Sequence, residues 1–144
     1  PITPYGSGRQ RRGFLPIEDS MQCLTLALEN PPEVGEYRVF NQFEETYLID
    51  ELAELVAEEA LALGLNPEIR RVENPRLEEE SHYYNPDHDA LTALGYVPTA
   101  DPARVVSEVL TSLLPYRNRI ESVRESLVPD VWWNSPRRRA EFIN

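Results

Sequence analysis

The chain has 144 residues, 41% hydrophobic and 27% charged, the balance of one soluble globular core. Its formal net charge of -11, from 25 acidic and 14 basic residues, argues against a duplex-DNA or anionic-membrane surface, although a local basic cluster can still bind a small anion. All 14 basic residues are arginine, so this stretch supplies no Schiff-base lysine, no Gly-Lys-Ser/Thr phosphate loop and no tyrosine–lysine pair for hydride chemistry.

Thirteen prolines and six glycines cut the sequence into short elements without repeats. The pattern predicts short strands alternating with helices, an α/β or α+β arrangement. Pro1 to Gly8 reads as an incoming strand ending in a Tyr5-Gly6-Ser7-Gly8 turn, and Gly13 to Ile17 as a short extended segment after a basic loop. Asp19 or Ser20 is expected to cap a helix that runs to about Glu29, with Leu24, Ala27 and Leu28 on one face and Asn30-Pro31-Pro32 as its stop.

After a turn at Gly35, the β-formers Tyr37, Val39 and Phe40 suggest a strand over Glu36 to Phe40. The longest helix is expected from about Thr46 to Gly64, with Leu48, Leu52, Leu55, Val56 and Leu63 as its apolar stripe. Glu68 to Val72 suggests another strand, and Arg76 to Asn85 is too polar and aromatic for a regular helix and reads as a site loop. A short helix follows from Pro86 to Leu94, stopped by Gly95. Asp101-Pro102 then opens a longer one with Val105, Val109, Leu110 and Leu113 inward, which Pro115 ends or kinks. Beyond Val128 a tail carries Trp132, Trp133 and Arg137 to Arg139, suited to a strap along a surface or to a frayed end.

Two stretches carry candidate chemistry. In Gly6-Ser7-Gly8-Arg9-Gln10-Arg11-Arg12-Gly13-Phe14 three guanidinium groups sit among glycines, which suits phosphate or carboxylate oxygens; a solvated basic turn is the alternative. In Asn74-Pro75-Arg76-Leu77-Glu78-Glu79-Glu80-Ser81-His82-Tyr83-Tyr84-Asn85 an arginine could take a diphosphate and a carboxylate a ribose diol; a charged surface loop is the alternative. Both follow short strands, where ligand-contacting loops of open sheets lie. His82 and His88 with Asp87 or Asp89 show no spacing that supports a metal site.

These two loops, with Thr3-Pro4-Tyr5-Gly6, Ile17-Glu18-Asp19-Ser20-Met21-Gln22-Cys23, Gly35 to Phe43 and Leu94-Gly95-Tyr96, resemble the C-terminal portion of the UDP-sulfoquinovose synthases. These are NAD-dependent members of the extended short-chain dehydrogenase/reductase superfamily, beside the nucleotide-sugar epimerases and dehydratases. The resemblance runs from about Ile2 to about Trp133 and rests chiefly on Arg38-Val39-Phe40-Asn41-Gln42-Phe43 and on Asn74-Pro75-Arg76-x-Glu78 with His82-Tyr83-Tyr84-Asn85. It implies a Rossmann-type enzyme in which NAD oxidises the hexose of UDP-glucose, sulfite adds at the sixth carbon, and reduction returns UDP-sulfoquinovose for sulfolipid synthesis.

The resemblance places the catalytic residues and the glycine-rich NAD loop in an N-terminal domain that this chain does not contain. Residues 1–128 are then the UDP-sugar-binding region, inactive alone, and 129–144 a tail. Residue by residue, it implies that Arg12 and Arg76 contact the diphosphate, Glu78 the ribose hydroxyls, Tyr5 the uracil side and Gln10 the sugar side. Arg9 stands where a small residue is expected before Gln10, and Ser81 replaces an acid before His82. Two other readings share part of this pattern: an epimerase or dehydratase relative that handles no sulfite, and a non-catalytic binding or scaffold module with the two tryptophans at an interface. An excised half exposes apolar surface to the missing domain or to a second copy as a homodimer. A single cysteine, Cys23, and the lack of a leader or long apolar run point to the cytoplasm, with no nucleic-acid or membrane partner.

Overall fold

The structure is a computed structural model and describes residues 1–74, 87–127 and 141–143. Strand β1 (Arg11–Phe14) pairs antiparallel with β2 (Glu45–Leu48), setting Arg12 opposite Tyr47 and Phe14 opposite Glu45. Between them lies helix α1 (Ile17–Glu29), and β2 runs straight into helix α2 (Ile49–Ala62). Helices α3 (Asp89–Ala93), α4 (Pro102–Leu113) and α5 (Arg117–Ser122) follow, and α4 packs on α2. The mixed α/β character expected from the pattern is present.

A second set of pairings runs through Val72, which is fully buried. Ile2 bridges Ile69 and Tyr5 bridges Val72 in one parallel register, while Phe142 bridges Val72 from the antiparallel side. The expected strands at 1–8 and 68–72 are therefore paired, but as isolated bridges. Pro4 supplies the reason: its carbonyl accepts the Val72 N–H at 3.0 Å, but it has no N–H to donate, so the ladder breaks between the bridges. Residues 141–143 of the tail lie along this segment, with Ile143 N–H donating to the Arg71 carbonyl and Glu73 N–H to that of Glu141, both at 2.9 Å.

Helix α1 departs from expectation at its start. Ser20 N–H donates to the Pro16 carbonyl at 2.8 Å, so the first turn begins at Ile17, and Asp19 is carried inward instead of capping. Its buried face is Asp19 and Cys23 with Leu26 packed beside them, whereas Leu24 and Leu28 are exposed. That face builds a small core with Leu91 and Tyr96, flanked by Leu15, Phe40 and Leu94. The Asp19 carboxylate accepts from Thr99 N–H at 3.1 Å and from the Thr99 hydroxyl at 2.6 Å, and the Gln22 amide clasps the Val97 backbone in both directions, at 3.1 and 2.9 Å. Two motifs far apart in sequence thus form one clasp.

Thr46 to Leu48 are strand rather than helix, because Arg11, Arg12 and Gly13 offer an edge on which Leu48, Tyr47 and Thr46 pair, and Phe14 meets Tyr47 edge to face at 5.9 Å. Helix α2 opens after Leu48, whose N–H donates to Glu51 at 2.7 Å, and ends at Gly64 in the left-handed region with Leu65 N–H reaching the Ala60 carbonyl at 2.9 Å. Its most buried positions are Ala53 and Ala60 rather than the leucines.

Glu36 to Phe40 forms no strand; Tyr37 and Val39 are exposed, and Arg38 is forked onto Glu36 at 2.9 and 3.1 Å. No described segment offers it an edge. Asp101 caps α4 as expected, accepting Arg104 N–H at 2.8 Å, and Pro115 converts the end of α4 into a 3₁₀ turn over Leu114–Tyr116. Val109 and Leu113, expected inward, are exposed. No described helix is long and apolar enough to cross a membrane.

Candidate functional site

A cleft of about 240 Å³ is lined by Thr3, Pro4, Tyr5, Gln10, Arg12, Ile49 and Asn74. It brings together three of the five residues singled out in the sequence: Tyr5, Gln10 and Arg12. The other two, Arg76 and Glu78, lie outside the described residues, as does the stretch from 75 to 86. Asn74, the last described residue before them, forms part of the cleft wall.

Strand periodicity selects the arginine. Gln10 and Arg12 stand two residues apart on one face and both line the cleft, whereas Arg11 points from the other face. There the Arg11 guanidinium donates to the Thr46 carbonyl at 3.0 Å and hydroxyl at 3.2 Å. The basic loop expected over Gly6 to Phe14 is therefore shorter: Arg11 and Arg12 belong to β1, and pairing with β2 sets their opposite directions. Arg12 itself donates to the Arg11 carbonyl at 2.9 Å.

Gln10 is almost fully buried. Its Nε2 donates to the Tyr5 carbonyl at 3.3 Å, while its Oε1 is buried with no hydrogen-bond partner. A buried carbonyl without a donor costs roughly 1–3 kcal/mol, so the cleft holds an acceptor that a ligand N–H or O–H would satisfy. Gly6 and Gly8, at φ of 64° and 73°, let the chain turn back between Tyr5 and Gln10. Sequence reasoning missed Ile49 and Asn74. Asn74 stood inside a motif already singled out, but Ile49 carries no chemical signal of its own and enters the cleft only because α2 starts there.

Elsewhere, burial and then the Glu45 carboxylate push the Tyr47 phenol up to about 12. Burial, followed by Asp19 and Glu44, raises the Tyr96 phenol, and burial raises the Cys23 thiol. These groups serve the clasp and the hairpin and lie outside the cleft. His88 stacks on Phe43 with ring centroids 4.2 Å apart.

The chain matches no protein-family model. It is 48% identical over 136 residues to the UDP-sulfoquinovose synthase of Sulfolobus acidocaldarius, covering 94% of this chain and 35% of that protein. The chain is homologous to a part of UDP-sulfoquinovose synthase. The chloroplastic UDP-sulfoquinovose synthase of Spinacia oleracea is 44% identical over 133 residues, 92% of this chain and 27% of its own length. The chain thus spans about a third of these UDP-sulfoquinovose synthases or less, and the match runs through both the clasp and the cleft.

Proposed function

We propose that this chain is the UDP-sugar-binding region of a UDP-sulfoquinovose synthase, an NAD-dependent enzyme converting UDP-glucose and sulfite to UDP-sulfoquinovose. The observation that carries this is the cleft, which assembles Tyr5, Gln10 and Arg12 in a chain 44–48% identical to such enzymes. In this reading Arg12 and Arg76 hold the diphosphate, Glu78 the ribose, Tyr5 the uracil side, and Gln10 accepts a hydrogen bond from the sugar side. Binding energy spent on the nucleotide then orients the hexose for chemistry done elsewhere in the protein.

The cofactor does not fit this cleft. Gly6 and Gly8 lead into strand β1 and not into a helix, and the Ile49 and Asp50 amides at the start of α2, which reaches this turn, are spent on the Gln10 and Gly8 carbonyls rather than offered to a dinucleotide pyrophosphate. NAD, which supplies the hydride exchange, and the catalytic groups are assigned to a portion outside this chain. Exposed apolar residues on α1, among them Met21, Leu24 and Leu28, support its packing against that portion or, in isolation, against a second copy. A single, buried, free cysteine supports a reducing compartment such as the cytoplasm.

Calorimetric titration with UDP and UDP-glucose at low salt tests the reading. Arg12→Ala or Arg76→Ala is expected to weaken binding by roughly 1.5–3 kcal/mol, the range for a charge-assisted hydrogen bond. An affinity for UDP that neither substitution changes would remove these loops from the site, and a product unaffected by sulfite would favour an epimerase or dehydratase.

A further inference from the structure

The walls of the cleft come from three separate stretches, at 3–5, 10–12 and 74, and from the first residue of α2. Asp50, the next residue of α2, links the chain beside these stretches, at Gly8 and at Arg71. The Asp50 N–H donates to the Gly8 carbonyl at 3.0 Å, and the preceding Ile49 N–H donates to the Gln10 carbonyl at 3.1 Å. The Asp50 carboxylate lies so close over Gly8 that a Cβ there would stand 1.9 Å from Oδ1, in a residue whose φ of 73° already excludes most side chains. Oδ2 accepts from Arg71 Nη2 at 2.5 Å. Arg71 precedes Val72, whose N–H and carbonyl pair with Pro4 and Gly6, and stands three residues before Asn74.

We propose that Asp50 is a positioning residue of the cleft, setting the Gln10–Arg12 wall at a fixed spacing from the Tyr5 and Asn74 walls through its packing on Gly8 and its ion pair with Arg71. The inference rests on the nucleotide-sugar reading of the cleft. Its second support is that Asp50 Oδ1 is buried without a hydrogen-bond partner, an arrangement that folding alone would avoid and that a shape requirement explains. With the carboxylate in this place, a Cβ at position 8 would overlap it.

UDP titration of the intact protein decides the matter, with Asp50→Asn, Arg71→Lys, Arg71→Met, Gly8→Ala and the double variant Gly8→Ala/Asp50→Ala, each checked for cooperative unfolding. Hydrogen exchange at the Ile49 and Asp50 amides is followed in parallel. Asp50→Asn and Arg71→Met are expected to weaken UDP about fivefold, the scale of a part-buried ion pair. Arg71→Lys should bind nearly as wild type. Gly8→Ala should lose most binding, and the double variant, freed of the overlap, should regain part of it. Protection of the two amides should fall in Asp50→Asn.

Equal UDP affinity in wild type, Asp50→Asn and Arg71→Met overturns the proposal, as does a double variant no better than Gly8→Ala. Should Asp50→Asn fail to fold, the contrast between Arg71→Lys and Arg71→Met decides alone. If wild type does not bind UDP, the nucleotide-sugar reading falls; unchanged amide protection in Asp50→Asn, or in Arg71→Met if Asp50→Asn does not fold, would then separately reject the latch.

Discussion

The clasp on α1 and the cleft behind β1 use similar residues to opposite ends. In the clasp, buried Asp19 takes both donors of Thr99, and Gln22 spends both ends of its amide on Val97. At the cleft loop, buried Gln10 and partly buried Asp50 each leave a buried oxygen without a donor. A closed network stabilises the chain it ties together, whereas an open one retains a cost that an incoming donor would offset. What separates Gln10 from Asp19 is an unpaired oxygen together with a place in the cleft wall, not burial.

The clasp should break first and hardest. Asp19→Ala strands the Thr99 N–H and hydroxyl, and a loss of about 3 kcal/mol is expected in urea unfolding, with UDP affinity per folded molecule unchanged. Leu91→Ala, in the core that the clasp covers, should cost roughly 2–3 kcal/mol by the same measurement. Gln10→Ala works the other way: it removes the unpaired acceptor, so stability should fall by less than about 1 kcal/mol while UDP-glucose loses more affinity than UDP, as paired titrations would show.

A smaller, pH-dependent effect sharpens the same comparison. The Tyr47 phenol is raised to about 12 and Tyr96 is raised as well, both from an ordinary value of 10.0. In the unfolded chain these phenols lose their protons from about pH 10 upward, while the fold holds them, so stability should decline as pH rises above about 10. Denaturation midpoints from pH 8 to 11 would show it, and Tyr96→Phe should flatten the slope. Smallest of all, Arg38→Gln, which removes an exposed fork on Glu36, should leave the midpoint where it is.

What was legible in the sequence is what local physics fixes. Asp101 and Pro102 start a helix wherever they stand, Asn30 with two prolines ends one, and Gly64 closes α2. The conversion of Thr46 to Leu48 from helix to strand needed the partner edge at Arg11–Phe14, 35 residues away at the Thr46–Arg11 contact, which no local window contains. Glu36 to Phe40 shows the converse, β-formers without an edge remaining irregular, with Tyr37 and Val39 exposed. The buried face of α1 was misread because Asp19, a surface residue by type, finds its partners 80 residues on. At the site, Gln10 and Arg12 were legible from residue type, but that Arg11 faces away follows only from the strand.

The hold of Gln22 on Val97 grips main chain alone, leaving the Val97 side chain in solvent. Position 97 is therefore open to almost any substitution, for the glutamine reads an amide and a carbonyl that nineteen of the twenty amino acids present alike. Proline alone has no amide hydrogen to offer, and at this otherwise permissive position it would remove one of the two main-chain bonds by which Gln22 holds the segment.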